Sequence, residues 1–265
     1  MGILEQIVER KRREVARRRA RTGQVPESAP YESPAIAPFE RATAALRRGR
    51  SAWPGVIAEI KMRSPSAGVI RRRVPGEVAT IARAFQDAGA SAVSVLCDGP
   101  GFGGTPLDIR RAARAVSLPL LFKEFVIDPI QVTLARRMGA HMVLLIARIL
   151  DASELFDLVA ETARQGLAPV VEVWDEEELG TVLQTDAPII GVNVRDLSTF
   201  RLNPTVAARL VGRIPEDRIG IYMSGVSSNK DLVRIADTRA DAVLIGEALM
   251  RAPLPGARLR EILAG

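Results

Sequence analysis

A carboxylate and an amine stand two residues apart at the end of an apolar run: Glu59 and Lys61, in the stretch VIAEIKMRSPSAG of residues 56–68. The run is typical of a buried strand that opens into a polar loop. Because alternate residues of a strand point to the same side, both side chains should face one interior. Burying opposite charges in an interior costs free energy unless the charges pair or take part in binding or catalysis. The two residues therefore form either a structural ion pair or part of a functional site.

Lys123 also interrupts an apolar run, since it follows PLLF and precedes Glu124 and Phe125. Burial lowers the pKa of a lysine and neighbouring carboxylates raise it, which leaves the ammonium usable as a proton donor near neutral pH. A salt bridge to a carboxylate of a neighbouring strand, or a Schiff-base nucleophile, would suit the same residue. All three interpretations stay open at this point.

Glu172 lies in the sequence VVEVW, between valines. An isolated carboxylate in such surroundings should be hard to ionise, which suits a general acid or base. A simple ion pair with Lys123 is the alternative, and the two roles are compatible.

Apolar runs alternate with amphipathic stretches from residue 56 onward, and this alternation predicts eight βα units. The predicted strands are 56–61, 92–98, 118–125, 141–147, 168–174, 187–194, 219–224 and 241–246. The predicted helices are about 77–89, 106–115, 129–138, 152–165, 175–184, 204–212, 228–237 and 255–263. Strands that are apolar at nearly every position are covered on both faces, as in a parallel α/β sheet. We therefore predict a (β/α)8 TIM barrel over an open doubly wound sheet, because Pro65 and serines replace the glycine-rich turn of the latter.

Polar residues gather where these predicted strands end. They are Glu59, Lys61, Asp98, Lys123, Glu124, Arg148, Glu172, Asn193, Arg195, Ser224, Gly225, Gly246 and Glu247. In a barrel the carboxyl ends of the strands carry the active site, so the pattern predicts one polar mouth.

Glycine turns follow the last two predicted strands, at Ser224-Gly225 and at Gly246-Glu247. Backbone N–H groups at a helix N-terminus attract anions, and barrels often bind phosphate after strands seven and eight. We expect phosphate recognition there.

Two helices are predicted before the barrel, at residues 1–22 and about 37–48, with a Pro- and Ser-rich linker at 23–36. We therefore divide the chain into an N-terminal helical extension, 1–50, and a catalytic barrel, 51–265. The sequence does not indicate whether the extension covers the site or closes the barrel bottom.

The composition restricts the classes of partner. The net charge is +6, but aromatic residues make up only 4% of the chain. The pattern of the basic run at residues 10–21 indicates a solvated helix face. We therefore expect no nucleic-acid partner. A small anionic substrate suits the charge.

One cysteine, Cys97, and one histidine, His141, leave little for a disulfide framework or a metal site. His141 is expected to pack at a strand start. No membrane segment or secretory signal is indicated, so we expect a soluble cytoplasmic protein.

The motifs keep a recognisable order along the chain. They are Glu59-Ile60-Lys61 with Ser64-Pro65-Ser66, Phe102-Gly103-Gly104, Lys123-Glu124-Phe125 through Asp128-Pro129, Val143-Leu144-Leu145-Ile146, Glu172, Asn193 with Arg195-Asp196-Leu197, Ser224-Gly225, and Gly246-Glu247-Ala248-Leu249-Met250. This set resembles the indole-3-glycerol phosphate synthases over essentially the whole chain.

The resemblance implies closure of the indole ring in tryptophan biosynthesis. 1-(2-carboxyphenylamino)-1-deoxyribulose 5-phosphate would lose CO₂ and water to give indole-3-glycerol phosphate, with no organic cofactor and no metal. Such a carboxy-lyase needs an acid for the carbonyl and hydroxyl groups and a base for a ring proton. The expected partner is this small anionic sugar phosphate, and the chain should be a monomer or a weak homodimer.

The resemblance also implies roles for individual residues. Lys123 would be the general acid and Glu172 the base or dehydration partner. Glu59 would orient Lys123 or share its proton, and Lys61 would transfer protons and contact substrate. The implied carboxylate anchors are Ser64 and Asn193, with Arg195 in support. Further substrate contacts are Phe102, Phe125, Leu144 and Ser224, and the implied phosphate-binding residues are Ser224, Gly225, Gly246 and Glu247.

Four departures from the family pattern bear on activity. Met223 stands where a glutamate usually precedes Ser224-Gly225, and Glu124 lengthens the carboxylate of the usual Lys-Asp-Phe. Cys97-Asp98-Gly99-Pro100 replaces a Thr-Asp loop, and Met62 occupies a commonly polar position. The expected function is therefore the synthase. The alternatives are a paralogue that cyclises a modified anthranilate-derived substrate in specialised metabolism, or a non-catalytic barrel that binds a sugar phosphate.

Overall fold

The structure is a computed structural model of the chain, and it describes residues 2–22, 37–49, 53–195 and 202–265. The predicted linker at 23–36 lies outside the described residues, as do Asp196 and Leu197 of the family-like motif. None of the helices within these ranges combines the length and the hydropathy of a membrane-spanning segment.

Eight parallel strands close into a barrel in chain order, with the last strand paired to the first. They are β1 Gly55–Ile60, β2 Ala92–Leu96, β3 Leu120–Lys123, β4 Met142–Ile146, β5 Ala168–Val173, β6 Ile189–Asn193, β7 Ile219–Met223 and β8 Ala242–Ile245. The predicted (β/α)8 barrel is confirmed, and the open sheet is excluded. Two short antiparallel strands, Arg63–Ser64 and Gly68–Val69, form a hairpin in the polar loop after β1.

The strands alternate between two buried environments, which explains their continuous apolar runs. Ile57, Leu121 and Met142 belong to an inner cluster that fills the barrel. Their neighbours along the chain, such as Ala58 and Phe122, belong to an outer cluster under the helices. Polar residues of the inward-facing set are therefore presented to the barrel interior.

Twelve helices surround or close the barrel within the described residues. They are α1 Ile3–Thr22, α2 Pro38–Leu46, α3 Glu77–Asp87, α4 Gly99–Phe102, α5 Pro106–Ala113, α6 Pro129–Met138, α7 Ala152–Arg164, α8 Glu176–Val182, α9 Pro204–Gly212, α10 Asn229–Ala236, α11 Glu247–Met250 and α12 Pro255–Ala264. A 3₁₀ turn at Ala147–Ile149 follows β4.

Side-chain caps fix where many of these helices begin. Asp98, Asp128, Asp151, Asp175 and Asn203 each accept a backbone N–H of the first turn. Such caps satisfy donors that have no acceptor within the helix. The short helices α4 and α11 were not predicted, because four residues are too few for a helical period to be recognised.

The two N-terminal helices cover opposite ends of the barrel. Ala42 and Leu46 of α2 are buried in the inner cluster beside Ala92 and Ala168, the first residues of their strands. In contrast, Ile7 of α1 joins the inner cluster from the other end, where the strands finish. The extension therefore both closes the bottom of the barrel and borders its mouth.

Candidate active site

A cavity of about 480 Å³ opens at the carboxyl ends of the strands. Every residue to which the family resemblance gives a role lines it: Glu59, Lys61, Ser64, Phe102, Lys123, Phe125, Leu144, Glu172, Asn193, Arg195, Ser224, Gly225, Gly246 and Glu247. They come together because the carboxyl ends of the parallel strands surround one mouth of the barrel. Their chemical roles stay predictions.

A chain of hydrogen bonds crosses the floor of this cavity from β3 to β7. Lys123 Nζ donates to Glu172 Oε2 at 3.1 Å, and Asn193 Nδ2 donates to Glu172 Oε1 at 3.0 Å. Ser224 Oγ then donates to Asn193 Oδ1 at 2.9 Å. The expectation of an isolated Glu172 is wrong, since both of its oxygens have donors. The alternative interpretation, a pair with Lys123, is the one observed.

Glu59 and Lys61 also form a pair, with 2.9 Å between Glu59 Oε1 and Lys61 Nζ. Glu59 is buried, whereas Lys61 is partly exposed to the cavity. Gly246 makes this arrangement possible, because a Cβ there would overlap Glu59 Oε1 and stand 3.1 Å from Lys61 Nζ. The glycine of the last turn thus has a steric function besides any backbone contact with an anion.

The charges around Lys123 favour its protonated form. Burial opposes the ammonium, but Glu172 and Glu59 outweigh it and hold the pKa of Lys123 above its ordinary value. Burial likewise opposes ionisation of Glu59, yet Lys61 and Lys123 hold its pKa below its ordinary value. Lys123 therefore carries a proton near neutral pH. The Schiff-base interpretation needs a neutral amine, so this environment disfavours it.

One wall of the cavity is apolar. The rings of Phe102 and Phe125 lie 6.0 Å apart at an interplanar angle of 39°, and Leu144 lines the same cavity. Met223 is buried at the end of β7, with its side chain packed over Gly191. These contacts give a flat aromatic group an apolar surface beside the charged groups.

The opposite side of the cavity is formed by the turn after β7 and by the start of α11. Ser224 and Gly225 adopt φ values of 76° and 75°, which turn the chain sharply after β7. The first turn of α11 begins at Glu247, and Arg251 lines the cavity while pairing with Glu247. Helix geometry leaves the first N–H groups of α11 without intrahelical acceptors, which suits an anion.

Ser64 and Arg195 stand at the rim. Ser64 Oγ accepts from Ala67 N at 3.1 Å and lies 3.3 Å from Ser66 Oγ. Arg195 is held by its backbone, since Arg195 N donates to Asn193 Oδ1 at 3.0 Å and Trp174 Nε1 donates to Arg195 O at 2.8 Å. Both residues line the cavity.

Two polar residues that end strands do not line the cavity. Asp98 is fully buried and pairs with Arg10 and Lys11 of α1. Arg148 pairs with Asp175 and Glu178 and lies over the Trp174 ring, 5.1 Å from its centroid. The prediction of a single polar cluster is therefore wrong for these residues, because neighbouring helices supply their partners.

Sequence reasoning did not assign Ile3, Leu4 and Ile7 of α1 to the site, yet all three line the cavity. Their helical spacing predicts an apolar face but not the surface on which that face packs. Glu124 also lines the cavity and pairs with Lys11. Burial outweighs Lys11 there and raises the pKa of Glu124 to about 7.

Among the residues that the structure describes, no group of three His, Cys, Asp or Glu side chains is placed to hold a metal ion. His141 lies just before β4, buried, where its Nδ1 accepts from Leu120 N at 3.3 Å. The position expected for it at a strand start is confirmed.

Several solved structures are similar to this one. The tryptophan synthase α-subunit from Legionella pneumophila superimposes with a TM-score of 0.61 and 13% identity, over 86% of this chain and 97% of that one. A mutant tryptophan synthase α-subunit from Pyrococcus furiosus gives 0.63 and 13%, over 80% and 98%. A protein described as KGPDC from Streptococcus mutans gives 0.59 and 10%, over 80% and 96%. At these identities the similarity supports the barrel fold alone.

The sequence itself carries the finer similarity. The model of the family described as indole-3-glycerol phosphate synthase matches residues 4–262, which is nearly the whole chain and includes α1. This family consists of tryptophan-biosynthesis lyases that decarboxylate a small phosphorylated substrate. The protein described above is therefore a member of the indole-3-glycerol phosphate synthase family.

Proposed function

We propose that this chain catalyses the family reaction, converting 1-(2-carboxyphenylamino)-1-deoxyribulose 5-phosphate to indole-3-glycerol phosphate, CO₂ and water. The observation that carries the proposal is the environment of Lys123. Its ammonium is largely enclosed and donates to Glu172, and Glu59 adds a second negative charge, at the wall of a cavity with one apolar side and one side whose backbone N–H groups suit an anion.

Binding would place the two anionic ends of the substrate at different parts of the cavity. The phosphate would meet Ser224, Gly225, Gly246 and the first turn of α11, with Arg251 adding charge. The carboxylate would meet Lys61, Ser64 and Asn193, and the aromatic ring would lie against Phe102 and Phe125. Holding both ends brings the ring carbon close to the carbonyl carbon, which lowers the entropic barrier of ring closure.

Ring closure would form the carbon–carbon bond first. The ring carbon that carries the carboxylate attacks the ketone carbon, and the carbonyl oxygen takes a proton from Lys123. The carboxylate then leaves as CO₂, and its bonding electrons restore the aromatic ring. Lys123 suits the step because its proton is held by Glu172 and Glu59 until a developing alkoxide competes for it.

Dehydration would complete the reaction. The new hydroxyl accepts a proton from the ammonium of Lys123 or Lys61 and leaves as water, while Glu172 accepts a proton from the five-membered ring. The overall reaction consumes one proton from solvent, because the carboxylate leaves as neutral CO₂ and the hydroxyl leaves as water. Glu172 is positioned for this exchange by Asn193 and Lys123, both within hydrogen-bond distance.

The test is turnover of the carboxyphenylamino-deoxyribulose phosphate, followed by fluorescence of the product. We expect Lys123→Ala and Glu172→Gln to lower kcat by roughly 10²- to 10⁴-fold, the usual contribution of a general acid or base. Lys230→Ala, which removes an exposed lysine of α10, is the matched control and should retain parent activity. Turnover that survives both active-site changes would exclude these roles.

Met223 favours a second candidate, a paralogue that cyclises a modified anthranilate-derived substrate. Its buried thioether leaves that strand end uncharged and adds apolar surface to the cavity. Turnover of a ring-substituted substrate in preference to the unsubstituted one would favour this candidate. Saturable binding of the phosphate without turnover of either would favour a non-catalytic barrel.

A further inference from the structure

Ser94 lies at the centre of β2, fully buried, directly beside Glu59 of β1 in the strand register. Paired residues of neighbouring parallel strands point to the same side of the sheet, with strands about 4.8 Å apart. Ala92 and Leu96, two residues away in each direction, face the barrel interior or the cavity. Ser94 therefore faces inward beneath the catalytic mouth.

Two buried polar atoms in this place have no partner among the residues that the structure describes. They are Ser94 Oγ and Glu59 Oε2, whereas the other oxygen of Glu59 pairs with Lys61. Buried polar atoms of folded proteins nearly always have a partner. One of these atoms belongs to a hydroxyl that can donate, and the other to a carboxylate that only accepts while ionised.

We propose that Ser94 is a positioning residue for Glu59, with its hydroxyl donating to Glu59 Oε2 directly or through one buried water. Ser94 does not reach the cavity, so it contacts no substrate and acts only through Glu59. Rotation about one side-chain bond redirects a serine hydroxyl, which makes this contact accessible without any movement of the backbone.

The contact would determine the charge that Glu59 presents to Lys123. A donor to the ionised carboxylate favours ionisation, in addition to the effects of Lys61 and Lys123, the cationic groups that face Glu59. An ionised Glu59 in turn supports the ammonium of Lys123, as Glu172 does from the other side. Without the hydroxyl, Glu59 should take up a proton at higher pH and Lys123 should release its proton at lower pH.

The relation to catalysis rests on the proposed function, but the contact itself has a separate test. In protein labelled with ¹³C at glutamate carboxyl carbons, the Glu59 signal is assigned with Glu59→Gln and titrated by NMR. We expect Ser94→Ala to raise the Glu59 midpoint by about one pH unit, the size of one hydrogen bond to a charged group. Ser94→Thr keeps the hydroxyl and should keep the parent midpoint.

The kinetic test uses the same variants. We expect Ser94→Ala to lower kcat roughly tenfold with little change in KM. The pH range of high kcat should become narrower, with its acidic limb at higher pH and its basic limb at lower pH. Cys97→Ala truncates a buried side chain on the outer face next to the same strand and should leave the profile unchanged.

The outcomes separate the two proposals. A Glu59 midpoint that is equal in the parent and in Ser94→Ala would overturn the positioning role, whatever the activity. A shifted midpoint in a parent that has no turnover would support the contact and count against the proposed function. A uniform loss of activity with an unchanged pH profile would mean a structural role only, and would also overturn the inference.

Discussion

Met223 brings a thioether to a strand end where the family usually has a carboxylate. Its neighbours are Gly191, over which it packs, and Asn193, its register partner on β6. A carboxylate in this position would add a negative charge to the cavity that Lys123 and Glu172 line, and would further favour the ammonium of Lys123, the proposed acid. The thioether adds no charge and supplies apolar surface instead.

We expect Met223→Glu to raise turnover of the unsubstituted substrate several-fold and to lower the free energy of unfolding by about 1–3 kcal/mol, since a carboxylate is introduced into a largely buried position. Met223→Gln has the same shape without the charge and is the control. Steady-state kinetics and urea denaturation give both quantities. An equal gain from Met223→Gln would show that charge is not the cause.

Gly246 is required by the closeness of β8 to the Glu59–Lys61 pair. A Cβ there would overlap Glu59 Oε1, which is buried and already bonded to Lys61, so Gly246→Ala should displace the pair. We expect roughly a 10²-fold loss of kcat/KM, because misplacement of catalytic groups by an ångström is costly. Gly180→Ala in α8 meets nothing within 4 Å and should be silent. A fully active Gly246→Ala would contradict this steric role.

At the scale of elements, α1 is attached to the barrel by buried charge as well as by its apolar face. Lys11 has only 4% of its side chain exposed, and its Nζ lies 3.2 Å from Asp98 Oδ1 and 3.1 Å from Glu124 Oε1. Asp98 and Glu124 follow β2 and β3, so this one lysine connects the helix to two strand ends. The same helix presents Ile3 and Ile7 to the cavity.

Loss of this connection should therefore affect both stability and substrate binding. We expect Lys11→Met to destabilise the protein by roughly 3–5 kcal/mol, since it leaves buried Glu124 without its cationic partner and Asp98 with Arg10 alone, and to raise KM more than it lowers kcat. The control is Arg13→Met, which removes only an exposed pair with Glu9. Thermal unfolding, kinetics and hydrogen exchange of α1 measure the effect. Unchanged exchange in α1 would contradict an anchoring role for Lys11.

The elements also separate what the sequence can predict from what it cannot. The strands were predictable because parallel strands are covered on both faces, and the inward direction of Glu59 and Lys61 follows from strand alternation. The packing of α1 and α2 could not be predicted, because an amphipathic pattern does not specify the surface on which its apolar face packs. The cationic partners of Asp98 and Glu172 lie 49 or more residues away along the chain, a separation that no local spacing contains.

At the scale of the whole molecule, the two ends of the barrel have different chemistry. The mouth concentrates paired charges around the cavity, and the bottom is filled by α2 and by small strand-starting residues such as Ala92 and Ala168. His141 lies at this bottom end, away from the cavity. Burial, with Arg41 and Arg136 nearby, lowers its pKa to about 4. Its titration should therefore affect stability and not catalysis.

The sign of that effect follows from linkage. In the unfolded chain the histidine takes up a proton near pH 6.5, whereas in the folded chain it stays neutral until about pH 4. Its contribution to stability is thus complete above pH 6.5 and is lost as the pH falls toward 4, by about 3 kcal/mol at most. Glu124 acts in the opposite direction between pH 4.5 and 7, because its folded pKa is raised to about 7. Only a comparison of variants separates the two.

His141→Asn keeps a polar side chain at the Leu120 N–H but cannot titrate, and it removes the only histidine of the chain. We expect the variant to be less stable than the parent at pH 7.5, and the difference to shrink steadily toward pH 4.5. Urea denaturation at four pH values in this range measures it, with Glu124 present in both proteins and therefore cancelling. Turnover at pH 7.5 should be unchanged. A difference in stability that is constant with pH would mean that His141 is not held neutral by the fold.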